Sequence, residues 1–299
     1  MTDSNTTSRQ AGGPSSEIQG VRLPDGTRLP RLGQGTWHIG DRPAKRKEEL
    51  RTLRRGVELG LTLIDTAEMY GDGRAEELVG EAVAGLRDSV FLVSKVYPHN
   101  AGRHRLARSC EDSLKRLKTD RLDLYLLHWR GNVPFSETIE AMEKLVREGK
   151  IMRWGVSNLD TADMKELLAI PGGGGCMTNQ VLYHLGSRGI EYDLLPWQRE
   201  RAMPIMAYCP LAQAGSLRQE LVHNPVVKEI AAGHGITPFQ LLLAWCIRDE
   251  DVIAIPKASS VQHVEDNAAA ARIKLTEEEL SLLDRAFPGP ARKVPLDIV

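Results

Sequence analysis

Short apolar runs alternate with segments of helical spacing along most of the chain. The runs cover 31–35, 61–65, 90–95, 122–128, 151–156, 177–180, 204–208 and 252–256. Between them, Leu50, Leu53, Val57 and Leu61 step by three and four, as do Leu106, Cys110, Leu114 and Leu117, which is the spacing of one helix face. Thr237-Pro238-Phe239-Gln240 and Thr276-Glu277-Glu278-Glu279 read as capping boxes, the second with Leu275 and Leu280 spaced for a hydrophobic staple. Strands this apolar, separated by helices, predict a parallel sheet buried on both faces. Eight of them without a break predict an α/β fold closed into a (β/α)8 TIM barrel rather than an open doubly wound sheet. Ahead of the barrel, 21–29 reads as a β-hairpin around Pro24-Asp25-Gly26. Residues 1–20, rich in Ser, Thr, Gly and Gln, read as a disordered tail, leaving 21–299 as a single barrel domain with a short C-terminal tail, Pro288–Val299. Gly172–Gly175 lacks the Lys-Ser/Thr that would follow in a phosphate loop and reads as a flexible connection at the barrel's bottom.

Composition narrows the function classes. Lys+Arg 39 against Asp+Glu 40 leave a formal charge of −1 over 299 residues. A nucleic-acid or anionic-membrane binder needs a basic excess that is missing here. No apolar run approaches the roughly 20 residues of a membrane span. Cys110, Cys176, Cys209 and Cys246 are isolated, which suits a reducing compartment, and the first residues lack the apolar stretch of a signal peptide. The expected location is therefore the cytoplasm. With no coiled-coil segment in a near-neutral chain, a monomer is expected.

In a barrel of this type the active site sits at the carboxyl ends of the strands. There the sequence places Asp65 and nearby Tyr70, Lys95, His128, Ser157-Asn158, Gln180, Tyr208 and Lys257. An ammonium beside a phenol favours the phenolate, so Lys95 is expected to lower the Tyr70 pKa, with Asp65 holding Lys95 charged. A phenol so tuned donates a proton to a developing alkoxide. His128 supplies a second hydrogen bond to the same oxygen. None of the four is a hydride donor, so reduction would require a bound redox cofactor.

At this point the chain resembles the aldo-keto reductase family. The matches are Gly35-Thr36-Trp37, Asp65-Thr66-Ala67 with Tyr70-Gly71, Lys95, Leu127-His128-Trp129, Gly155-Val156-Ser157-Asn158, Asn179-Gln180, Ala207-Tyr208 with Pro210-Leu211, and Ile255-Pro256-Lys257. They stand in family order from about residue 20 to the end. The stretch 188–197 is similar to bacterial members, including the subgroup associated with methylglyoxal reduction. The resemblance implies reduction of aldehydes and ketones, including 2-oxoaldehydes, with NADPH as cofactor, NADH as a second one, and no metal. It implies Tyr70 as general acid, Lys95 and Asp65 as its tuning pair, and His128 as the group that orients the carbonyl. It also implies that Ser157, Asn158 and Gln180 hold the carboxamide and that Tyr208 stacks on the nicotinamide. Pro210 and Leu211 would border the cofactor. Lys257, Ser259 and His263 would meet the 2′-phosphate, and Asp266 and Asn267 the adenine. Many members carry Arg where this chain has His263. Because Arg is always charged and forks onto phosphate, weaker NADPH-over-NADH discrimination is expected here.

Blander readings stand beside these. Asp65 and Lys95 could form a structural ion pair at the barrel rim. Trp37 and Trp129 could cap the barrel instead of walling a small-carbonyl pocket. Arg130 and the tail could border that pocket, the short tail leaving it open, or Arg130 could be a solvated charge. A cofactor-binding regulatory barrel with little turnover is the competing function. A metal-dependent hydrolase ranks last, for want of His-x-His and clustered carboxylates.

Overall fold

The computed structural model describes residues 20–299. The tail expected at 1–20 lies outside them, except for Gly20, which begins the first strand. Strands β1 (Gly20–Arg22) and β2 (Arg28–Pro30) pair as the expected hairpin. The chain then alternates through β3 (Gln34–Gly35), α1 (Arg46–Glu58), β4 (Leu63–Asp65), α2 (Arg74–Ala82), β5 (Phe91–Val96), α3 (Leu106–Leu117), β6 (Leu124–Leu127) and α4 (Phe135–Arg147). It continues with β7 (Trp154–Ser157), α5 (Thr161–Ala169), β8 (Cys176–Leu182), α6 (Leu194–Arg199) and β9 (Ile205–Tyr208). Three helices come after β9, namely α7 (Ser216–His223), α8 (Pro225–Gly233) and α9 (Pro238–Cys246). Strand β10 (Val252–Ala254), α10 (Val261–Ala270) and α11 (Glu277–Ala286) complete the order.

All pairings from β3 to β10 are parallel, in sequence order. Parallel bridges from Leu32 to Ala254 and from Gly35 to Lys257 join the first barrel strand to the last and close the ring. Glycine is required at this seam. A Cβ on Gly35 would lie 2.6 Å from the Ile255 carbonyl oxygen.

Side-chain alternation divides the strands between two cores. Ile64, Leu92, Tyr125, Trp154, Val156 and Ile205 face outward and pack under the helices. Leu63, Val93, Leu124, Leu126, Met206 and Ile253 face the barrel axis. Val21, Leu23 and Leu29 of the hairpin join this inner cluster, and Arg153, just before β7, pins the hairpin through Asp25 and Thr27. The hairpin therefore plugs the amino end.

Local signals landed as expected at both capping boxes, which start α9 and α11. Helix α1 stops at Glu58, so the Leu50–Leu61 spacing overran it; Leu61 is buried in the connection to β4. In the Gly172–Gly175 connection, Gly173 is buried and Gly174 is exposed with open space around it. A Cβ on Gly173 would lie 2.1 Å from the Leu167 carbonyl oxygen, and one on Gly175 2.5 Å from Glu143.

Candidate active site

The period-two alternation that buries Leu63, Val93, Leu126 and Met206 inside the barrel carries Asp65, Lys95, His128 and Tyr208 inward one step nearer the carboxyl end. Gln180 arrives there by a different device. The step from Trp154 to Val156 on β7 pairs with the longer step from Cys176 to Asn179 on β8, an irregularity that reverses the facing of the β8 residues beyond it. Gln180 thereby donates to Asp65 Oδ1 at 2.8 Å. Its neighbour Asn179 instead clamps the backbone of Leu159, with its amide donating to the Leu159 carbonyl at 2.7 Å.

Lys95 is fully buried, and its ammonium has three acceptors: Asp65 Oδ2 at 2.7 Å, the Thr66 carbonyl at 2.9 Å and Tyr70 Oη at 3.0 Å. An ammonium has three hydrogens to give. Lys95 is thus fully engaged, and Tyr70 accepts from it. The phenolic proton of Tyr70 remains available for donation elsewhere. Burial raises the Asp65 pKa and lowers that of Lys95, while the pairing of the two opposes both shifts.

The expected lowering of the Tyr70 pKa is not what this environment produces. Burial, then the Asp65 carboxylate, raises it well above its ordinary value. Lys95 comes with its own counter-charge, Asp65, which opposes the pull of the ammonium on the phenol. Tyr70 is accordingly held protonated at neutral pH. His128 is buried too; burial, then the Lys95 charge, pushes its pKa down to about 2. It is a neutral imidazole whose Nδ1 has no hydrogen-bond partner, and its ring meets the Tyr70 ring edge-on at 5.8 Å between centroids.

Behind this group, Asn158 turns the chain out of β7 with a left-handed φ of 58°, a conformation that Asn tolerates better than most residues. Its amide nitrogen donates to the His128 carbonyl and to Ser157 Oγ, both at 3.2 Å. Its oxygen accepts from the Tyr208 hydroxyl at 2.8 Å. Ser157 donates to the Gln180 carbonyl at 2.8 Å.

From Tyr70 a groove of about 680 Å³ runs across the barrel top. Trp37, Asp65, Tyr70 and Tyr208 line one end, Pro210 and Leu211 the middle, and Lys257, Ser259, His263, Asp266 and Asn267 the other end. The far end lies at the start of α10, where Ser260 is the N-cap and Ser259 Oγ lies 3.3 Å from His263 Nδ1. Helix N-termini attract phosphate through unpaired N–H groups and the helix dipole. Lys95, His128, Ser157, Asn158 and Gln180 sit deeper or beside this groove rather than on its wall. Trp129 flanks His128, with centroids 4.8 Å apart, and meets Tyr97 edge-on.

Sequence reasoning missed Tyr97 and Arg218. Tyr97 is two residues beyond Lys95 and so keeps its inward parity, which was a readable signal. Arg218 lines the groove and donates to the Leu211 and Ala212 carbonyls, but nothing in its local sequence marks it. Arg130 does not wall the site. It is paired with Asp163 and Glu166 and lies over the Phe135 ring. Among the described residues no cluster of His, Cys, Asp and Glu could hold a metal.

Residues 31–287 match the aldo/keto reductase family, and the chain belongs to it. Methylglyoxal reductase YeaE of Escherichia coli is 61% identical over 271 residues, covering 91% of this chain and 95% of that protein. Glyoxal reductase of Bacillus subtilis is 31% identical, covering 93% and 98%. Among solved structures, an aldo/keto reductase from Klebsiella pneumoniae in complex with NADP and acetate is 59% identical, with a TM-score of 0.92 over 94% of this chain and 99% of that one.

Proposed function

We propose that this chain reduces small aldehydes and ketones, 2-oxoaldehydes such as methylglyoxal among them, to alcohols at the expense of NADPH. The observation that carries this reading is the full engagement of Lys95, which leaves the proton of Tyr70 as the one to be given away. The groove suits a dinucleotide: it has an aromatic face in Tyr208, a helix start with Lys257, Ser259 and His263 for a phosphate, and Asp266 and Asn267 beyond. When bound, NADPH supplies the hydride.

The residues do the rest. Asn158 and Gln180 present amide oxygens to a carboxamide, with Ser157 beside them, and the ring of Tyr208 offers a stacking surface. Trp37 and Trp129 provide flat apolar walls, and neutral His128 donates a hydrogen bond that orients the carbonyl oxygen. Tyr70 gives its proton to that oxygen as negative charge develops on it, and the buried Lys95–Asp65 pair steadies the phenolate left behind. Solvent then reprotonates Tyr70, so one carbonyl and one proton yield one alcohol as one hydride is consumed. With Arg130 tied to acidic partners, no free cation there invites a carboxylate-bearing substrate.

The same reading takes residues 21–299 as one domain, acting as a cytoplasmic monomer without nucleic-acid partners. The near-zero net charge supports the absence of a nucleic-acid partner, and among the described residues no helix is long and apolar enough to cross a membrane. A panel of aldehydes, diketones and sugars, followed through the loss of NADPH and NADH absorbance, tests the activity. NADPH binding without turnover on any of them would overturn it in favour of a regulatory barrel.

A further inference from the structure

Under α2 lies a carboxylate that takes no direct part in the reaction proposed above. Glu76, in the first turn of α2, is fully buried. Its Oε1 accepts from Ser94 Oγ on β5 at 2.6 Å, and its Oε2 accepts from Arg116 Nε on α3, also at 2.6 Å. Arg116 donates in addition to Ser113 Oγ at 3.2 Å. Arg116 reaches the carboxylate by crossing Gly73, the N-cap of α2. A Cβ there would lie 2.5 Å from Arg116 Cδ.

Both bonds of Glu76 bear on the pair formed by Tyr70 and Lys95. Ser94 precedes Lys95 on β5, and by strand alternation it faces the helices while Lys95 faces the barrel axis. Glu76 follows Ala75, whose backbone N–H donates to the Tyr70 carbonyl at 3.3 Å. The N–H of Arg74 donates to the Gly71 carbonyl at 3.2 Å. The first turn of α2 thus holds the backbone of the Tyr70 segment, and Glu76 ties that turn to the strand carrying Lys95. The distance at stake is the 3.0 Å from Lys95 Nζ to Tyr70 Oη. A buried charge is costly unless it is paired, and Arg116 supplies the pair.

We propose that Glu76, with Arg116 as its counter-charge, is a positioning residue that sets the Tyr70 phenol against the Lys95 ammonium. This rests on the reading of Tyr70 as the general acid. Without Arg116, the Glu76 carboxylate is left buried and loses its ion pair. The first turn of α2 then shifts towards water and draws the Tyr70 segment away from Lys95. Without the Ser94 hydroxyl, the ion pair persists but the tie to β5 is gone. Neither change reaches the middle and far walls of the groove, because Pro210, Leu211, Lys257 and Asp266 stand on later elements.

The test compares Arg116→Met, Arg116→Lys and Ser94→Ala with the unaltered protein. It reads kcat and KM for methylglyoxal, the NADPH dissociation constant from tryptophan fluorescence, and hydrogen exchange of peptides spanning 66–76 without cofactor. Arg116→Met is expected to lower kcat about 10- to 100-fold, the cost of a small misplacement of a reacting group, with KM and NADPH affinity within about twofold. Exchange across 66–76 should quicken, and Arg116→Lys should restore most of both losses. Ser94→Ala should lower kcat about 3- to 10-fold in the same manner, and it carries the test alone if Arg116→Met does not fold. Variants that unfold at lower denaturant yet keep kcat would overturn the proposal, since a merely structural ion pair behaves that way. If the unaltered protein reduced no carbonyl, the reading of Tyr70 would fail, while exchange across 66–76 would still decide whether Glu76 orders the Tyr70 segment.

Discussion

Replacing Tyr70 by Phe removes one oxygen and leaves almost everything else in place. Lys95 Nζ lies 4.7 Å from the centre of the ring, so the cation still faces an aromatic surface, and it keeps the Asp65 and Thr66 acceptors at 2.7 and 2.9 Å. The lost hydrogen bond from a charged donor costs about 1.5–3 kcal/mol of stability, little enough for a barrel of this size to remain folded. Turnover is a different matter. With the proton donor gone, the loss expected for general-acid catalysis is about 10²- to 10⁴-fold in kcat, or about 2.7–5.5 kcal/mol of barrier. NADPH binding, read by fluorescence quenching, should stay within about twofold, because the groove walls are unchanged.

The pH profile sharpens the test. The acid must be protonated to act, and burial holds the Tyr70 pKa well above its ordinary value. The unaltered enzyme should therefore keep its kcat through neutral and alkaline pH, with no fall that reports Tyr70 up to about pH 10. Single-turnover methylglyoxal reduction across pH 6–10 measures both effects. A Tyr70→Phe variant within threefold of normal would remove Tyr70 from the acid role. A fall in rate centred near pH 7–8 would show that Lys95 does lower the phenol pKa, and that the reasoning from burial is wrong.

Other outcomes rest on the same geometry. Lys95→Met strands a buried carboxylate and should cost about 3–5 kcal/mol in denaturant unfolding; a loss below 1 kcal/mol would mean the Asp65–Lys95 pair is hydrated. His263→Arg places a permanent fork beside Ser259 and should tighten NADPH about tenfold while leaving NADH unchanged, as measured by titration with each. Burial holds His128 to a pKa of about 2 and His184 to about 4, against about 6.5 when unfolded. Between those limits the unfolded chain binds the extra protons. Each histidine's contribution is thus complete above pH 6.5 and falls by about 1.4 kcal/mol per unit as the pH drops, until its folded pKa is reached. Unfolding free energies that do not decline from pH 6.5 to 4.5 would contradict this.

Much of the architecture was readable because it is written in local pattern. The eight apolar runs all became strands, since a parallel sheet covered on both sides demands unbroken apolar stretches. Helices α9 and α11 begin where Thr237 and Thr276 close their boxes, because a cap is decided within four residues. Asp65, Lys95 and His128 could be placed together because parity along a strand is itself a sequence property. Tyr97 obeys the same parity and was overlooked, whereas Arg218 reaches the groove from a helix whose placement no nearby residue announces.

What no local pattern could supply was anything that depends on a partner far along the chain. The inward turn of Gln180 comes from an irregular pairing between β7 and β8, and the closing seam needs Gly35 only because Ile255 lies against it. The direction of the Tyr70 shift depends on how much water the assembled barrel leaves around a phenol, an ammonium and a carboxylate at once. Likewise, nothing near Lys293 in the sequence announces that it pairs with Asp160 and Asp193. Residue types and their periodicity settle which side chains face the axis, because one backbone repeat governs them. Solvent exclusion, ring closure and contacts between distant segments exist only once the chain has folded on itself, and those decided the chemistry of the site.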